Sequence, residues 1–169
     1  MLPFIAKLAE LGIEPLSGST FQPLSERDIE RLQNKEEGSL PEPYKQFLAT
    51  YGAATFSVFV NCTPHSDPLL FGWFYGLDEL VGAVDDFEDV LPEGIMPIGD
   101  DGGGNQFCLG VRGKDFEKVY FHNHSIGWQA DADAYRGRGE EVPEAIRHQT
   151  VSEIAPSFEQ FILGMVNEP

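Results

Sequence analysis

Basic residues are scarce in this chain. Eleven Lys and Arg stand against 28 Asp and Glu in 169 residues, a formal net charge of −17, and no Lys or Arg falls between Lys45 and Arg112. That interval holds Asp67, Asp78, Glu79, Asp85, Asp86, Glu88, Asp89, Glu93, Asp100 and Asp101. The deficit argues against direct binding of nucleic acid, whose phosphates are neutralised by Lys and Arg that displace condensed counterions. The charge also exceeds the magnitude of roughly 2–8 usual for a small domain. Such a field steers a basic partner, or else keeps a surface solvated with no partner attached.

Long apolar runs are missing too. No stretch approaches the roughly 18–20 uncharged apolar residues of a membrane span. Met1–Leu11 carries Lys7 and Glu10 inside its apolar pattern, where a secretory leader has a basic start and an apolar centre. The expectation is a cytoplasmic protein without a membrane partner. Cysteine is nearly absent: Cys62 and Cys108 have no metal-ligand spacing and suit two buried thiols in a reducing compartment, with a disulfide between them as the alternative.

What is present is an ordinary globular composition, 41% hydrophobic with 13 Phe, 5 Tyr and 2 Trp to fill a core. The length predicts one domain over 1–169. Within it, 1–24 reads as an N-terminal helix and loop, 25–124 as the motif-bearing core, 125–150 as an irregular connection and 151–169 as a C-terminal helix. Leu2–Leu11 has helical spacing before Gly12, and 14–23 reads as loop. Ser25 caps a second helix, and Tyr44, Phe47, Leu48 and Tyr51 form the stripe of a third, closed by Gly52. Thr55–Val60 and Leu69–Leu77 are aromatic or β-branched strand candidates. Asp78 is the predicted N-cap of a fourth helix whose outer face carries Asp85, Asp86, Glu88 and Asp89. Ile95–Gly99, Gln106–Val111 and Lys118–His122 read as strands, the last two as a hairpin. Gly127–Pro143 has no clear period and reads as an exposed excursion. Ser152 is the predicted cap of a last helix bearing Ile154, Phe158, Phe161, Ile162, Met165 and Val166, with Pro156 in its first turn.

Candidate chemistry is thin. The loop Gly99–Asn105 has the glycines of a phosphate cradle but no Lys, no following helix and two acids, so it reads as a tight strand-to-strand turn. His122 and His124 share a face if both lie on a strand, and with Asp100 and Asp101 they offer imidazole and carboxylate ligands for a divalent metal. Cys62, Cys108 and the serines, beside His65, His122, His124 and His148, fit no nucleophile motif. No cofactor is expected, and no catalytic residue is assigned.

Three motifs occur in order: Leu40-Pro41-x-x-Tyr44-x-x-Phe47-Leu48-x-x-Tyr51-Gly52, then Met96-Pro97-Ile98-Gly99-Asp100-Asp101-Gly102-Gly103-Gly104-Asn105-Gln106-Phe107-Cys108-Leu109, then Val119-Tyr120-Phe121-x-x-His124. Together they resemble the SUKH superfamily, which includes the yeast Smi/Knr-type cell-wall regulator domain. The likeness spans about Ile29 to His124, and the expected C-terminal helix Ser152–Val166 also falls where the family has one. It implies an α+β fold with a central, mainly antiparallel sheet flanked by helices. Leu40, Pro41, Tyr44, Phe47 and Leu48 become core residues in that reading, and Gly99, Gly102 and Gly104 turn residues. Bacterial members of the family resemble immunity proteins that neutralise toxins, and fungal members act as scaffolds. Tyr51-Gly52-Ala53 and the long stretch Gly127–Pro143 depart from the pattern.

The resulting expectation is a non-catalytic domain whose protein partner is a basic, nuclease-type toxin domain. Its surface would comprise Asp85, Asp86, Glu88, Asp89, Asp100 and Asp101, with Trp73 and Tyr75 as aromatic anchors. The alternatives are a housekeeping scaffold or regulatory interaction module and a metal-dependent enzyme using His122 and His124.

Overall fold

The computed structural model describes residues 1–63, 66–125 and 129–168. Among these residues eight strands form one antiparallel sheet: β1 (Ile13–Pro15), β2 (Ala54–Asn61), β3 (Leu70–Phe74), β4 (Ile95–Asp100), β5 (Gln106–Gly110), β6 (Val119–His122), β7 (Val151–Ala155) and β8 (Val166–Asn167). The first seven lie side by side in chain order, and β8 pairs with β2. Among them run the helices α1 (Pro3–Glu10), α2 (Glu26–Lys35), α3 (Glu42–Thr50), α4 (Leu77–Asp86), α5 (Gln129–Gly137), α6 (Glu144–Arg147) and α7 (Phe158–Leu163). This is the α+β architecture expected. Among the described residues no helix is long and apolar enough to cross a membrane.

Local chemistry accounts for the well-formed elements. At α2, Ser25 Oγ accepts from the Asp28 N–H while the Asp28 carboxylate accepts from the Ser25 N–H, a reciprocal cap. At the end of α3, Gly52 sits at φ +65, and a Cβ there would collide with the Gln22 carbonyl oxygen, so glycine is required twice over. Leu40, Tyr44, Phe47 and Leu48 are buried as expected, with Pro41 beside them.

The two faces of the sheet are covered differently. Along β5, Phe107 and Leu109 join the main core under α1, α3 and α7, whereas Cys108 packs with Tyr120, Leu91 and Ile95. Aromatic rings dominate the first face: Phe47 to Phe74 at 4.5 Å, Phe71 to Phe74 at 4.3 Å and Phe71 to Phe107 at 4.8 Å between centroids. Each such pair contributes about 0.5–1.5 kcal/mol beyond its burial. Cys62 and Cys108 are free buried thiols, and burial pushes both upward in pKa.

Several expectations are corrected. The segment 14–23 is not loop throughout, because Glu14 and Pro15 extend β1 along β2. The cap of α4 is Gly76, whose N–H donates to the Glu79 carboxylate at 3.0 Å; Asp78 lies inside the first turn. That helix ends at Asp86, so Glu88 and Asp89 lie in a turn. Gly99 belongs to β4, where a Cβ would meet the Trp73 carbonyl oxygen at 2.6 Å; its role is close strand packing.

The excursion contains α5, whose Ala132 packs with Val142 against Val90, Tyr135 and Ile146; Gly127 lies outside the described residues. Ser152 starts no helix. It pairs with Phe121 in β7, and the helix begins after Ser157, whose Oγ accepts from the Gln160 N–H at 3.2 Å. Pro156 separates the two elements.

Candidate functional site

The acidic interval divides into two regions. The first is the turn that follows α4. There the Val90 and Leu91 N–H groups both donate to the Phe87 carbonyl, at 3.0 and 2.9 Å. Asp85, Asp86, Glu88 and Asp89 are all exposed. Asp85 pairs with Lys35 at 2.5 Å, a surface contact of small energetic worth. The turn is tied down through its backbone: Arg147 Nη1 donates to the Glu88 carbonyl at 3.2 Å, and Arg136 Nη2 to the Asp89 carbonyl at 3.4 Å. The Glu93 N–H donates to the Glu144 carboxylate at 3.2 Å.

This turn forms one wall of a cleft of about 400 Å³. Among the described residues seven carboxylates line it, those of Glu36, Glu37, Asp85, Glu88, Asp89, Glu93 and Glu141, together with Val84, Phe87, Leu91 and Ile95 and three cations. Each cation is engaged within the chain: Lys35 with Asp85, Arg112 with Glu37 and Glu93, and Arg147 with Glu144 and two backbone carbonyls. Burial raises the Glu36 carboxyl above its usual range, opposed by Arg112 and Lys35.

The second region is the loop between β4 and β5. Asp100 Oδ1 accepts from the Gly102 N–H at 2.5 Å, and its Oδ2 accepts from Gln106 Nε2 at 2.9 Å. Asp101 Oδ1 accepts from the Gly103 and Asn105 N–H groups at 2.7 and 3.1 Å, and its Oδ2 from Asn105 Nδ2 at 2.7 Å. Gly102 and Gly104 take φ of +87 and +94, as the tight turn demands. Asp100 lies five residues along β4 from Ile95, a distance of about 17 Å at strand rise. The structure therefore brings Asp85, Glu88 and Asp89 around one cleft, leaves Asp86 on the surface, and puts Asp100 and Asp101 at the far end of β4.

The aromatic anchors accompany the loop. Tyr75 is buried and donates to Gln106 Oε1 at 2.5 Å, with Asp100 Oδ2 at 3.4 Å. Burial, with Asp100 nearby, raises its pKa. It is in no position to meet a partner by its ring. Trp73 is half-buried in register with Asp100, and its buried Nε1 has no hydrogen-bond partner among the described residues.

The two histidines do not share a strand face. Strand β6 ends at His122, which is 2% exposed, while His124 lies in the following turn and is exposed, its Nδ1 2.7 Å from Asn105 Oδ1. Both His122 ring nitrogens are buried without a hydrogen-bond partner among the described residues, and its ring stands edge-on to Phe87 at 5.6 Å. Burial drives its pKa down to about 4. Among the described residues no group of three or more His, Cys, Asp or Glu is arranged to hold a metal ion, and His65 lies outside them.

Sequence reasoning missed Glu36, Glu37 and Glu141 as cleft residues and Arg136, Glu144 and Arg147 as the groups holding the turn. The one available signal was the spacing of Ala132, Tyr135, Val142 and Ile146 within a segment read as irregular.

Residues 23–164 match the SMI1 / KNR4 family (SUKH-1). The chain is also similar to the SPbeta prophage-derived uncharacterized protein YokK of Bacillus subtilis (strain 168), 27% identical over 163 residues that cover 83% of this chain and 74% of that protein. With most of its length matched, the chain belongs to the SMI1 / KNR4 family (SUKH-1).

Proposed function

We propose that this protein is a non-catalytic immunity protein that neutralises a cognate basic toxin, of the nuclease type, by covering it in a tight complex. The cleft beside the α4 turn carries the reading. Its carboxylates outnumber its cations seven to three, and those cations are already held by groups of the chain. A Lys or Arg from a partner thus meets a negative field without displacing a free cation. Such a field raises association rates from an ordinary 10⁵–10⁶ M⁻¹s⁻¹ toward roughly 10⁸ M⁻¹s⁻¹ at low salt. A toxin that grips nucleic acid through basic residues would present complementary charge at the surface it needs for its substrate. Family membership supports a binding role in general.

The test begins with capture of partners from the native cell on the tagged protein, at low salt and at about 0.5 M, where the Debye length is roughly half its value at 0.1 M. A basic protein lost at high salt is expected, and the wild-type chain should abolish its toxicity or nuclease activity. The Glu88→Lys/Asp89→Lys variant should fold normally and associate at least about tenfold more slowly. Full neutralisation at an unchanged rate by that variant, or capture of acidic partners alone, would sink the proposal. A stable partner without toxicity would assign the chain to the scaffold class instead.

A further inference from the structure

We infer that the segment from Gln129 to Arg147 is a brace that fixes the acidic turn Phe87–Glu93 by its backbone and leaves the Glu88 and Asp89 carboxylates free, with Arg147 as the principal positioning residue. The inference deepens the partner-binding reading above and rests on it for its functional meaning.

Arg147 sits in an acidic neighbourhood, yet its side chain turns inward and is only 12% exposed. Its Nη1 takes the Glu88 carbonyl at 3.2 Å, its Nε takes the Val142 carbonyl at 3.1 Å, and its charge is offset by Glu144 at 3.8 Å. Arg136 repeats the pattern one residue on, reaching the Asp89 carbonyl at 3.4 Å while Asp133 lies 3.3 Å from its guanidinium. Glu144 grips from the other end by accepting the Glu93 N–H. Between these points Val90 packs against the small cluster built on Ala132 and Val142.

The turn is thus held at residues 88, 89, 90 and 93. Among the described residues, the hydrogen bonds from Arg136 and Arg147 to the turn reach the Asp89 and Glu88 carbonyls, that from Glu144 reaches the Glu93 N–H, and none ends on the Glu88 or Asp89 carboxylate. Arg147 and Glu141 also line the cleft, so the brace completes its wall. A turn ordered before association loses less conformational freedom on binding, and donors on a rigid guanidinium fork suit that task better than a flexible ammonium.

Hydrogen exchange on the free, full chain tests the brace. In Arg147→Met the Val90, Leu91 and Glu93 amides should exchange at least about tenfold faster, with those of Phe107, Leu109 and Tyr120 unchanged. Unchanged exchange at 90–93, or equal acceleration throughout the sheet, overturns the inference. Should that variant fail to fold, Glu144→Ala probes the same grip, with faster exchange expected at Glu93 and the same overturning result.

A fluorescent octalysine peptide serves as the basic probe. Removing the Arg147 charge makes the cleft more acidic, so charge alone predicts tighter binding in Arg147→Met. Loss of the brace predicts binding about threefold to tenfold weaker, and tighter binding overturns it. Equal octalysine affinity for wild type and Glu88→Lys/Asp89→Lys would defeat the acidic-surface reading while leaving the exchange result standing. Unchanged exchange with weakened binding in the charge-reversed chain would defeat the brace alone.

Discussion

The turn after α4 and the loop between β4 and β5 are both acidic in sequence and opposite in construction. In the loop, the carboxylates of Asp100 and Asp101 accept the hydrogen bonds that shape it, from Gly102, Gly103, Asn105 and Gln106. In the turn, the backbone is held by Arg136, Arg147 and Glu144, and the Glu88 and Asp89 side chains are exposed. A carboxylate that satisfies its own backbone belongs to the fold, and one whose backbone is satisfied by others is available to a partner. Under the function proposed above, the candidate surface centres on Asp85, Glu88 and Asp89 with Glu36, Glu37, Glu93 and Glu141 beside them, while the hydrogen bonds of Asp100, Asp101 and Tyr75 shape the loop.

His122 joins the two regions, since it pairs in register with Gln106 and its ring meets Phe87. The largest expected effect follows from it. Its folded pKa, about 4, lies below the usual 6.5 because burial disfavours the charged ring. Between those values the unfolded chain binds the extra proton, so stability is complete above about pH 6.5 and is lost as pH falls toward 4. The shift corresponds to about 3 kcal/mol. Urea unfolding of wild type and His122→Leu across this range should show the leucine chain gaining on wild type as pH falls. A constant difference would mean that the imidazole protonates in the folded chain as readily as in the unfolded one.

Next in size is the loop. Asp101→Ala removes three charge-assisted acceptor contacts and leaves the Gly103 and Asn105 N–H groups to water; the expected cost is about 2 kcal/mol in a denaturant titration. Asp100→Ala should cost about as much, because Gln106 Nε2 and the Gly102 N–H lose their acceptor. Losses below about 0.5 kcal/mol in both would return these acids to the surface class.

Much of the fold was legible because local chemistry and tertiary demand agree. The Ser25 cap, the Tyr44–Phe47–Leu48 stripe and the β5–β6 hairpin all lie where spacing put them. The misses have a shared cause. Ile154 and Phe158 stand four apart, which mimics a helical face, but Val151–Ala155 is claimed by the open edge of β6, a long-range pairing that no local pattern reports. Helix α5 hides because its apolar face is little more than Ala132 and Tyr135, and its stability comes from Val90, Val142 and Ile146. At the site, the acidic types were readable and their hydrogen-bond fates were not. Asp89 and Asp101 look alike until the donors around them are placed.

The smallest expected effect is the sharpest test of that distinction. Glu88 and Asp89 are exposed, and no ion pair to either occurs among the described residues. Truncation removes charge without orphaning a donor. Glu88→Ala and Asp89→Ala should each alter stability by less than about 0.5 kcal/mol, against about 2 kcal/mol for Asp101→Ala. Reduced repulsion from Glu36, Glu37 and Glu93 across the cleft favours a slight gain. Thermal melts at low and high salt check the origin of that gain, because one caused by relieved repulsion fades as screening rises. A loss near 2 kcal/mol from either truncation would show that the turn, like the loop, relies on its own side chains, and the contrast between the two regions would collapse.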